Sequence, residues 1–456
     1  MAKKIVDDLK IFNSLVDDLL KEEKEKGIST RIEADKLFDQ LDISLSENAI
    51  EDEDFTTILR SLILNTPKTS GKLFFNQLYG GRESKSVLGD LLAVILNNSM
   101  ATYKIAGPMV FVEKEIINKV CELISYPKSS GGTFPTGGSM SNFMALIIAR
   151  DKKDNEIKNK GNCSNLICYS SVNSHYSIGK NASFAGIGRD NVRYISANEK
   201  GEIISSELEN AIINDIENGN TPFFVNATVG TTVMGAIDPI DEISKICKKH
   251  NIWFHIDGSY SGTVIFSKKY KHLIKGVENS DSFCFNAHKT LGTPLSTSIF
   301  VLRDEKYLHN SFNNEAAYLY QTDNSNFNLG QTSFECGRRN NALKFWTLWK
   351  SVGTNGIAEM VEHNYYLANV AREYIRNNDN YKLYSFDDSL SICFNYKNLD
   401  PEEICIKLYH ANKLMVGFGM HKTDKFIRLV SINRENTKED ILNFFKILEE
   451  FTNQND

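Results

Sequence analysis

Glycine and hydroxyl residues cluster in the stretch TGGSMSN at residues 136–142, directly before a helical pattern that begins at Phe143. Glycines let a backbone approach an anion closely, and free N–H groups at the start of a helix attract negative charge. Gly138 and Ser139 are therefore candidate ligands of a phosphate group. A simple turn with a helix N-cap accounts for the same residues equally well. The stretch matches neither the dinucleotide-binding motif nor the Walker A motif.

Three other side chains that can do chemistry each follow a short apolar run. Asp257 comes directly after the run 253–256, and His175 and Lys289 follow two others. A carboxylate at the end of a buried strand needs a cation or hydrogen bonds, and a desolvated lysine can attack a carbonyl group. A histidine ring can stack on another ring or exchange protons. Taken singly, each has an ordinary structural explanation: a turn aspartate, a hydrogen-bonded histidine or an exposed lysine.

Taken together, the four features fit one cofactor. Pyridoxal phosphate needs an amine to hold its aldehyde, an acid for its ring nitrogen, an anion site and a flat group against the ring. Lys289, Asp257, the stretch 136–142 and His175 can supply these in turn. The sequence therefore indicates a pyridoxal-phosphate site.

The segment from about residue 160 to 305 must position these side chains. Short apolar runs alternate there with amphipathic stretches, which predicts βαβ units and a mostly parallel sheet. Ligands of such sheets bind outside the carboxyl ends of the strands, where the candidate residues come. The predicted strands are 166–169, 192–195, 223–227, 253–256, 282–285 and 298–302, with helices at 206–216 and 241–250. A C-terminal α+β segment is predicted to contain strands 390–394 and 426–430 and helices 401–411 and 437–451.

Composition excludes several classes of protein. The 456 residues have ordinary globular usage, and 52 basic against 58 acidic residues argue against a nucleic-acid partner. The 8 cysteines are scattered without a C-x-x-C pair, which argues against a disulfide framework or a metal site. No signal peptide is visible, and the apolar runs are shorter than the ~20 residues that span a bilayer. We expect a cytoplasmic protein without a membrane partner.

A series of longer blocks contains these residues. In chain order they are FFNQL at 74–78, TGGSMSN at 136–142, SHYS at 174–177, NATVGTTVMGAIDPI at 226–240, HIDGSYSG at 255–262, NAHK at 286–289, YLYQTD at 318–323 and CGRRNNALKFW at 336–346. Their order and content resemble the group II amino acid decarboxylases among the fold-type I pyridoxal-phosphate enzymes. That family includes glutamate, cysteine sulfinate, aspartate, aromatic and 2,4-diaminobutyrate decarboxylases. The resemblance spans about residues 74–434.

The resemblance implies an α/β fold of type I with pyridoxal 5'-phosphate as cofactor and no metal. It implies a large domain at 86–345 with a mostly parallel seven-stranded sheet, preceded by an N-terminal helical segment at 1–85. A small C-terminal α+β domain would occupy 346–456. The family also implies a homodimer with the active site at the interface, and a small amino acid as substrate.

Position by position, the resemblance makes Lys289 the lysine that binds the cofactor covalently. Asp257 would pair with the ring nitrogen, and His175 would stack on the ring and take part in catalysis. The other implied cofactor-binding residues are Gly138, Ser139, Thr232 and His288. Tyr318 matches the tyrosine of the family's mobile catalytic loop and would return a proton to the substrate carbon. Family members with phenylalanine there tend toward oxidative deamination, so this tyrosine indicates plain decarboxylation.

The substrate is predicted from three positions. Arg428 matches the C-terminal arginine near the substrate, although aromatic decarboxylases also have it and a structural ion pair would explain it. Gln77 matches the glutamine that binds the side-chain carboxylate in glutamate decarboxylases, and Ser99 resembles the cysteine sulfinate and aspartate branch. We therefore expect decarboxylation of a small acidic L-amino acid. Alternatives are a decarboxylase of 2,4-diaminobutyrate or an aromatic amino acid, and a pyridoxal-phosphate enzyme that does not decarboxylate.

Some positions depart from the family pattern. Gly258 replaces the alanine that we expect above the cofactor, which predicts slightly different packing there. Ala101 replaces an aromatic residue, and Lys104 replaces an acid that is common in the animal enzymes. A wider pocket with an added cation would suit a larger or differently charged substrate.

Overall fold

The structure is a computed structural model that describes residues 2–26, 28, 32–161, 165–313, 320 and 325–455. Two β-sheets with flanking helices organise these residues. None of the helices in the described ranges combines the length and the apolar character needed to span a bilayer.

Twelve strands are present in the described ranges. They are β1 Phe74–Phe75, β2 Gly131–Thr133, β3 Leu166–Ser171, β4 Val192–Ile195, β5 Thr221–Thr228, β6 Trp253–Gly258, β7 Ser282–Asn286, β8 Ser298–Leu302, β9 Tyr381–Leu383, β10 Ser391–Tyr396, β11 Met415–His421 and β12 Asp424–Val430.

Sixteen α-helices, several of them single turns, occur in the same part of the chain. They are α1 Ala2–Glu25, α2 Leu37–Gln40, α3 Asp52–Asn65, α4 Ser84–Leu96, α5 Tyr103–Ala106, α6 Met109–Leu123, α7 Gly138–Lys153, α8 Ile157–Lys160, α9 Ser177–Phe184, α10 Ser205–Glu217, α11 Ile240–His250, α12 Ala287–Thr290, α13 Lys306–Phe312, α14 Ala342–Arg376, α15 Pro401–His410 and α16 Lys438–Asn455.

The larger sheet has seven strands in the order β2-β8-β7-β6-β5-β3-β4. Strands β4, β3, β5, β6 and β7 run parallel, and β8 and β2 are antiparallel to their neighbours. Every residue of β3, β6, β7 and β8 is buried, as expected for strands covered by helices on both faces. The prediction of an α/β fold with a mostly parallel seven-stranded sheet is confirmed, and each strand predicted in this region is present.

The smaller sheet has five strands in the order β1-β11-β12-β10-β9. Its edge strand β1 lies within the predicted N-terminal segment, yet it pairs in parallel with β11 near the C terminus. The long helix α14 packs on both halves of the chain and breaks at Gly353, whose φ of 68° is left-handed. Strands β1, β2, β9 and β11 were absent from the sequence prediction.

Candidate active site

The carboxyl ends of β5, β6 and β7 lie side by side in the sheet, with Thr228 of β5 directly opposite Asp257 of β6. A cavity of about 240 Å³ opens at this edge. The predicted cofactor residues that line it are Gly138, Ser139, His175, Thr232, Asp257, His288 and Lys289. Sequence positions more than 150 residues apart are thus brought to one site by the parallel strand order.

Asp257 is the buried acid of the cavity, with 4% of its surface exposed. Its Oδ2 accepts a hydrogen bond from Asn142 Nδ2 at 2.8 Å, and its Oδ1 accepts from the Ser259 backbone N–H at 3.0 Å. Burial alone would raise the pKa of this carboxyl, but the hydrogen bonds from Ser259 and Asn142 hold it below its usual value. The structure therefore presents an ionised carboxylate to the cavity.

Lys289 lies in the short helix α12, directly after β7, and its side chain is half-buried. Burial lowers the pKa of its amine from the usual value. The nearby Asp257 carboxylate opposes this shift, and the Arg428 guanidinium adds to it. The amine is therefore a better nucleophile at neutral pH than an exposed lysine.

His175 precedes helix α9 and is half-buried at the mouth of the cavity. Its Nδ1 accepts a hydrogen bond from the Ser177 backbone N–H at 3.2 Å, which fixes the ring at the start of the helix. Burial lowers the pKa of His175, with Asp257 opposing and Lys289 reinforcing the shift. A neutral imidazole ring that lines the cavity can stack on a flat ligand.

The amino end of the 16-residue helix α7 forms one wall. A Cβ on Gly138 would lie 2.2 Å from Ser259 Oγ and 3.1 Å from Asn286 Nδ2, so only glycine fits between these two groups. Ser139 is exposed at the same helix start, where backbone N–H groups lack helical acceptors. Backbone and side-chain donors converge here on a space that suits a phosphate group.

His288 is buried beside Lys289, and its Nδ1 lies 3.0 Å from the Thr297 backbone N–H. Burial and the Lys289 charge lower its pKa to about 4. The same Nδ1 lies 3.1 Å from the Thr297 carbonyl oxygen, so the Thr297 backbone contacts it with both its donor and its acceptor. Thr232 follows β5 and lines the opposite wall of the cavity. Asp238 stabilises the turn that contains it, because Asp238 Oδ2 accepts a hydrogen bond from the Thr228 backbone N–H at 2.7 Å.

The predicted substrate residues lie outside the lining of this cavity. Arg428 Nη2 donates to the backbone carbonyl of Asn76 at 2.7 Å, which holds the guanidinium next to the exposed Gln77. Ser99 lies elsewhere, after α4, where its Oγ accepts from the Ala101 N–H at 3.2 Å. Tyr318 lies outside the described residues.

Sequence reasoning missed several polar residues of the cavity. Asn142 and Asn286 line the cavity and belong to the blocks at 136–142 and 286–289, but the sequence alone predicts no role for them. The sequence feature that could have identified them is their place in the same short block as a candidate cofactor residue. The family pattern predicts that Gly258 lies above the cofactor, but the structure places it inside the sheet. A Cβ on Gly258 would meet the Cys284 carbonyl oxygen at 2.6 Å. The following residue, Ser259, is the one that lines the cavity.

Pyridoxal phosphate fits the groups that are present. An amine, a carboxylate, an imidazole ring and an anion cradle surround one cavity. Two lining atoms, Asn286 Oδ1 and Thr228 Oγ1, are buried with no hydrogen-bond partner among the described residues. Buried polar atoms normally have partners, so these two favour a polar ligand in the cavity.

Comparison with known proteins agrees with this chemistry. Residues 36–397 match the model of the pyridoxal-dependent decarboxylase conserved domain. The acidic amino acid decarboxylase GADL1 of Xenopus tropicalis is 32% identical over 96% of this chain and 91% of that protein. The cysteine sulfinic acid decarboxylase of Mus musculus is 34% identical over 90% of this chain and 88% of that protein.

Solved structures show the same fold. The crystal structure of mouse CSAD superposes with a TM-score of 0.93 at 30% identity, covering 99% of both chains. Oryza sativa TDC with PLP and tryptamine has a TM-score of 0.92 at 20% identity, covering 100% of this chain and 98% of that chain. This chain therefore belongs to the pyridoxal-dependent decarboxylase family, and its cofactor is pyridoxal phosphate.

Proposed function

We propose that this protein decarboxylates a small acidic L-amino acid, namely cysteine sulfinate, aspartate or glutamate, to the amine and CO₂. The placement of Arg428 carries the proposal. Its Nε is buried with no partner among the described residues, and its charge acts on the pKa of Lys289. An arginine fork whose charge reaches the reactive amine, and which is held next to Gln77, suits a carboxylate or sulfinate. Relatives named for acidic amino acids and cysteine sulfinic acid point to the same substrates.

The roles of the buried residues follow from their protonation states. Bound pyridoxal phosphate supplies an electron sink for the bond that breaks at the substrate's α-carbon. Lys289 would hold the cofactor through its amine, which requires the neutral form that burial favours. Asp257, held ionised by its hydrogen bonds, keeps a proton on the ring nitrogen. His175, whose lowered pKa favours the neutral ring, lines the cavity and would stack on a flat cofactor bound there.

The phosphate group is assigned to the start of α7. Gly138 and Ser139 supply backbone N–H groups, and the Asn286 amide lies next to Gly138. His288 lines the same cavity, and Thr232 lines its opposite wall. These groups would hold the cofactor, and a cofactor held firmly allows the scissile bond to be oriented perpendicular to the ring.

Tyr318 is proposed as the general acid that returns a proton to the substrate carbon after CO₂ leaves. Support comes from the match of YLYQTD to the family's catalytic loop. Exclusion of water during this step is the second task of that loop.

A homodimer with the active site at its interface is supported by the surface of α4. The small residues Ser86, Gly89 and Ala93 face inward, and a Cβ on Gly89 would meet the Lys344 Cα at 2.8 Å. The large apolar residues of the same helix are left exposed, including Leu88 at 50%, Leu92 at 46% and Ile95 at 59%. An apolar face of this size marks a protein–protein interface.

Ser99 follows this helix directly. A second subunit packed on this face of α4 would lie close to Ser99. This supports the proposal that Ser99 of one subunit contributes to the substrate site of the other. The domain bounds at residues 85 and 345 and a cytoplasmic location rest on the sequence and stay predictions.

The function is tested by CO₂ release from the purified protein loaded with pyridoxal phosphate. Glutamate, aspartate, cysteine sulfinate, 2,4-diaminobutyrate and tyrosine are offered separately. We expect turnover of one or more of the three acidic substrates and none of the other two. Turnover confined to 2,4-diaminobutyrate or tyrosine would contradict the role of Arg428 and Gln77 while leaving the decarboxylase chemistry intact.

A further inference from the structure

A chain of hydrogen bonds continues beneath Asp257, away from the cavity. Asn142 Nδ2 donates to Asp257 Oδ2 at 2.8 Å, and Asn142 Oδ1 lies 3.0 Å from His255 Nε2. On its other side, His255 Nδ1 lies 2.9 Å from Ser282 Oγ. The indole Nε1 of Trp253 lies 2.9 Å from the same hydroxyl oxygen. The side chains of Trp253, His255 and Asp257 share one face of β6, and Ser282 of β7 is paired with His255. The hydrogen bonds therefore run along one face of the sheet, from the carboxylate toward the amino ends of these strands.

The chemistry of the end groups fixes the orientation of the Asn142 amide. An ionised carboxylate only accepts hydrogen bonds, so the group facing Asp257 is the NH₂. The second hydrogen of that NH₂ points to Ser177 Oγ at 3.1 Å. The amide oxygen is then left to accept, and the Cys284 thiol lies 3.8 Å from it as a weak second donor. His255 Nε2 must therefore carry a proton.

The Trp253 indole fixes the other end. Its N–H can only donate, so Ser282 Oγ accepts from it and retains a hydroxyl hydrogen. The next acceptor within reach of that hydrogen is His255 Nδ1. Each bond then donates toward Asp257, in the order Trp253, Ser282, His255, Asn142.

The surroundings of His255 favour its neutral form. The ring has 0% exposure, is stacked on Phe224 with centroids 6.0 Å apart, and meets the edge of Phe300. Burial lowers its pKa to about 4, against the opposing effects of the Asp257 charge and of a hydrogen bond to the Ser282 backbone. A neutral imidazole has one N–H, and the hydrogen-bond pattern puts it on Nε2.

We infer that His255 is a positioning residue: as the Nε2–H tautomer it locks the Asn142 amide, which holds the Asp257 carboxylate in place for the cofactor's ring nitrogen. His255 touches neither cofactor nor substrate and acts only through Asn142. The inference rests on the proposed role of Asp257. It predicts that cofactor binding depends on a hydrogen-bond donor at the Nε2 position and not on the imidazole ring itself.

Two substitutions separate the donor from the ring. In His255→Gln the side-chain amide reaches the former Nε2 position and can donate to Asn142, whereas in His255→Asn it reaches only the former Nδ1 position beside Ser282. The dissociation constant of pyridoxal phosphate is measured for each variant by absorbance, with thermal unfolding as a control for folding. The ¹⁵N shifts of the His255 ring are measured in the cofactor-free wild-type protein. Asp257→Ala serves as the reference for loss of the carboxylate.

We expect His255→Asn to weaken cofactor binding about tenfold, since hydrogen bonds to charged groups have this order of effect. His255→Gln should bind the cofactor like the wild type, and the ring shifts should show a proton on Nε2 alone. Equal weakening in both variants, or a proton on Nδ1 or on both nitrogens, would overturn the inference. If Asp257→Ala binds the cofactor like the wild type, the proposed role of Asp257 is wrong. If Asp257→Ala binds weakly while both His255 variants bind like the wild type, the role of Asp257 stands and only the role of His255 is wrong.

Discussion

Arg428 of β12 donates from Nη2 to the backbone carbonyl of Asn76 at 2.7 Å, a contact between residues 352 positions apart in the chain. This bond joins the small sheet to the segment that follows β1, in which Gln77 is the next residue. It leaves Nε buried without a partner among the described residues. The arginine is thus held in one orientation with donor capacity to spare, as a site for an acidic group requires.

Arg428→Gln should raise the KM for the acidic substrate about tenfold or more, because a hydrogen-bonded ion pair with substrate is lost. The dissociation constant of the cofactor should change little. Lys425→Gln is the matched control, since Lys425 lies on the same strand but is exposed and pairs with Glu402 at 3.1 Å. Steady-state kinetics of both variants check this. The same KM in the two variants would remove Arg428 from the substrate site.

The lowered pKa of Lys289 predicts how covalent capture of the cofactor depends on pH. Burial favours the neutral amine, so covalent capture of pyridoxal phosphate by the cofactor-free protein should have its pH midpoint below 10.5, the ordinary value for lysine. Capture should rise with pH through that lowered midpoint and level off above it. The rate of the absorbance change at a series of pH values measures this.

Lys289→Ala should abolish the capture. Lys245→Ala should leave its midpoint unchanged, because Lys245 is an exposed lysine of α11 paired with Asp241. A midpoint at or above 10.5 in the wild-type protein would show that Lys289 is not desolvated as described.

Tyr318→Phe tests the proposed proton donor. Without the hydroxyl, the substrate carbon cannot be protonated efficiently. In air-saturated buffer we then expect bound cofactor with product diverted from amine to aldehyde and ammonia, because dissolved O₂ takes up the two electrons and is reduced to H₂O₂. Product analysis by mass spectrometry distinguishes the two outcomes. Tyr320→Phe, two positions away, should still yield the amine. An unchanged amine yield from the Tyr318 variant would assign the proton transfer to another group.

The sequence predicted those features of the site that depend on local pattern. Apolar runs located the parallel strands, and Asp257 and Lys289 stood out because each follows such a run. Strands β2 and β11 escaped prediction because their glycines, such as Gly132 and Gly417, weaken the β pattern.

The support for Asp257 could not be predicted in the same way. Asn142 lies 115 positions from Asp257, and in sequence it resembles an ordinary residue at a helix start. Its role appears only when α7 packs across the sheet. His255 and Asp257 are two positions apart on β6, so strand geometry places their side chains on the same face. The hydrogen-bond partners of His255 are fixed by tertiary contacts instead.

The exposed face of α4 predicts the oligomeric state. Ile95→Glu places a charge on the apolar face, at its most exposed large residue among Leu88, Leu92 and Ile95. It should convert a dimer to monomers, because the charge would be desolvated in the interface. Ile216→Glu is the control, since Ile216 is also exposed, at 48%, but lies on α10. Light scattering gives the mass of each variant. A dimer that survives in the Ile95 variant would place the interface elsewhere.

Gly258 tests the packing of β6 against β7. A Cβ there would lie 2.6 Å from the Cys284 carbonyl oxygen and 2.8 Å from a ring carbon of Phe283, and neither the sheet backbone nor a buried ring can move away freely. Gly258→Ala should therefore destabilise the protein by about 2 kcal/mol, in the range found for overpacked cores. Gly337→Ala is the control, because a Cβ at that position meets nothing within 4 Å. Denaturant unfolding of both variants measures the difference. Equal stability would mean that the strand separation at the site is larger than described, and Asp257, the residue before Gly258, would then be held less firmly.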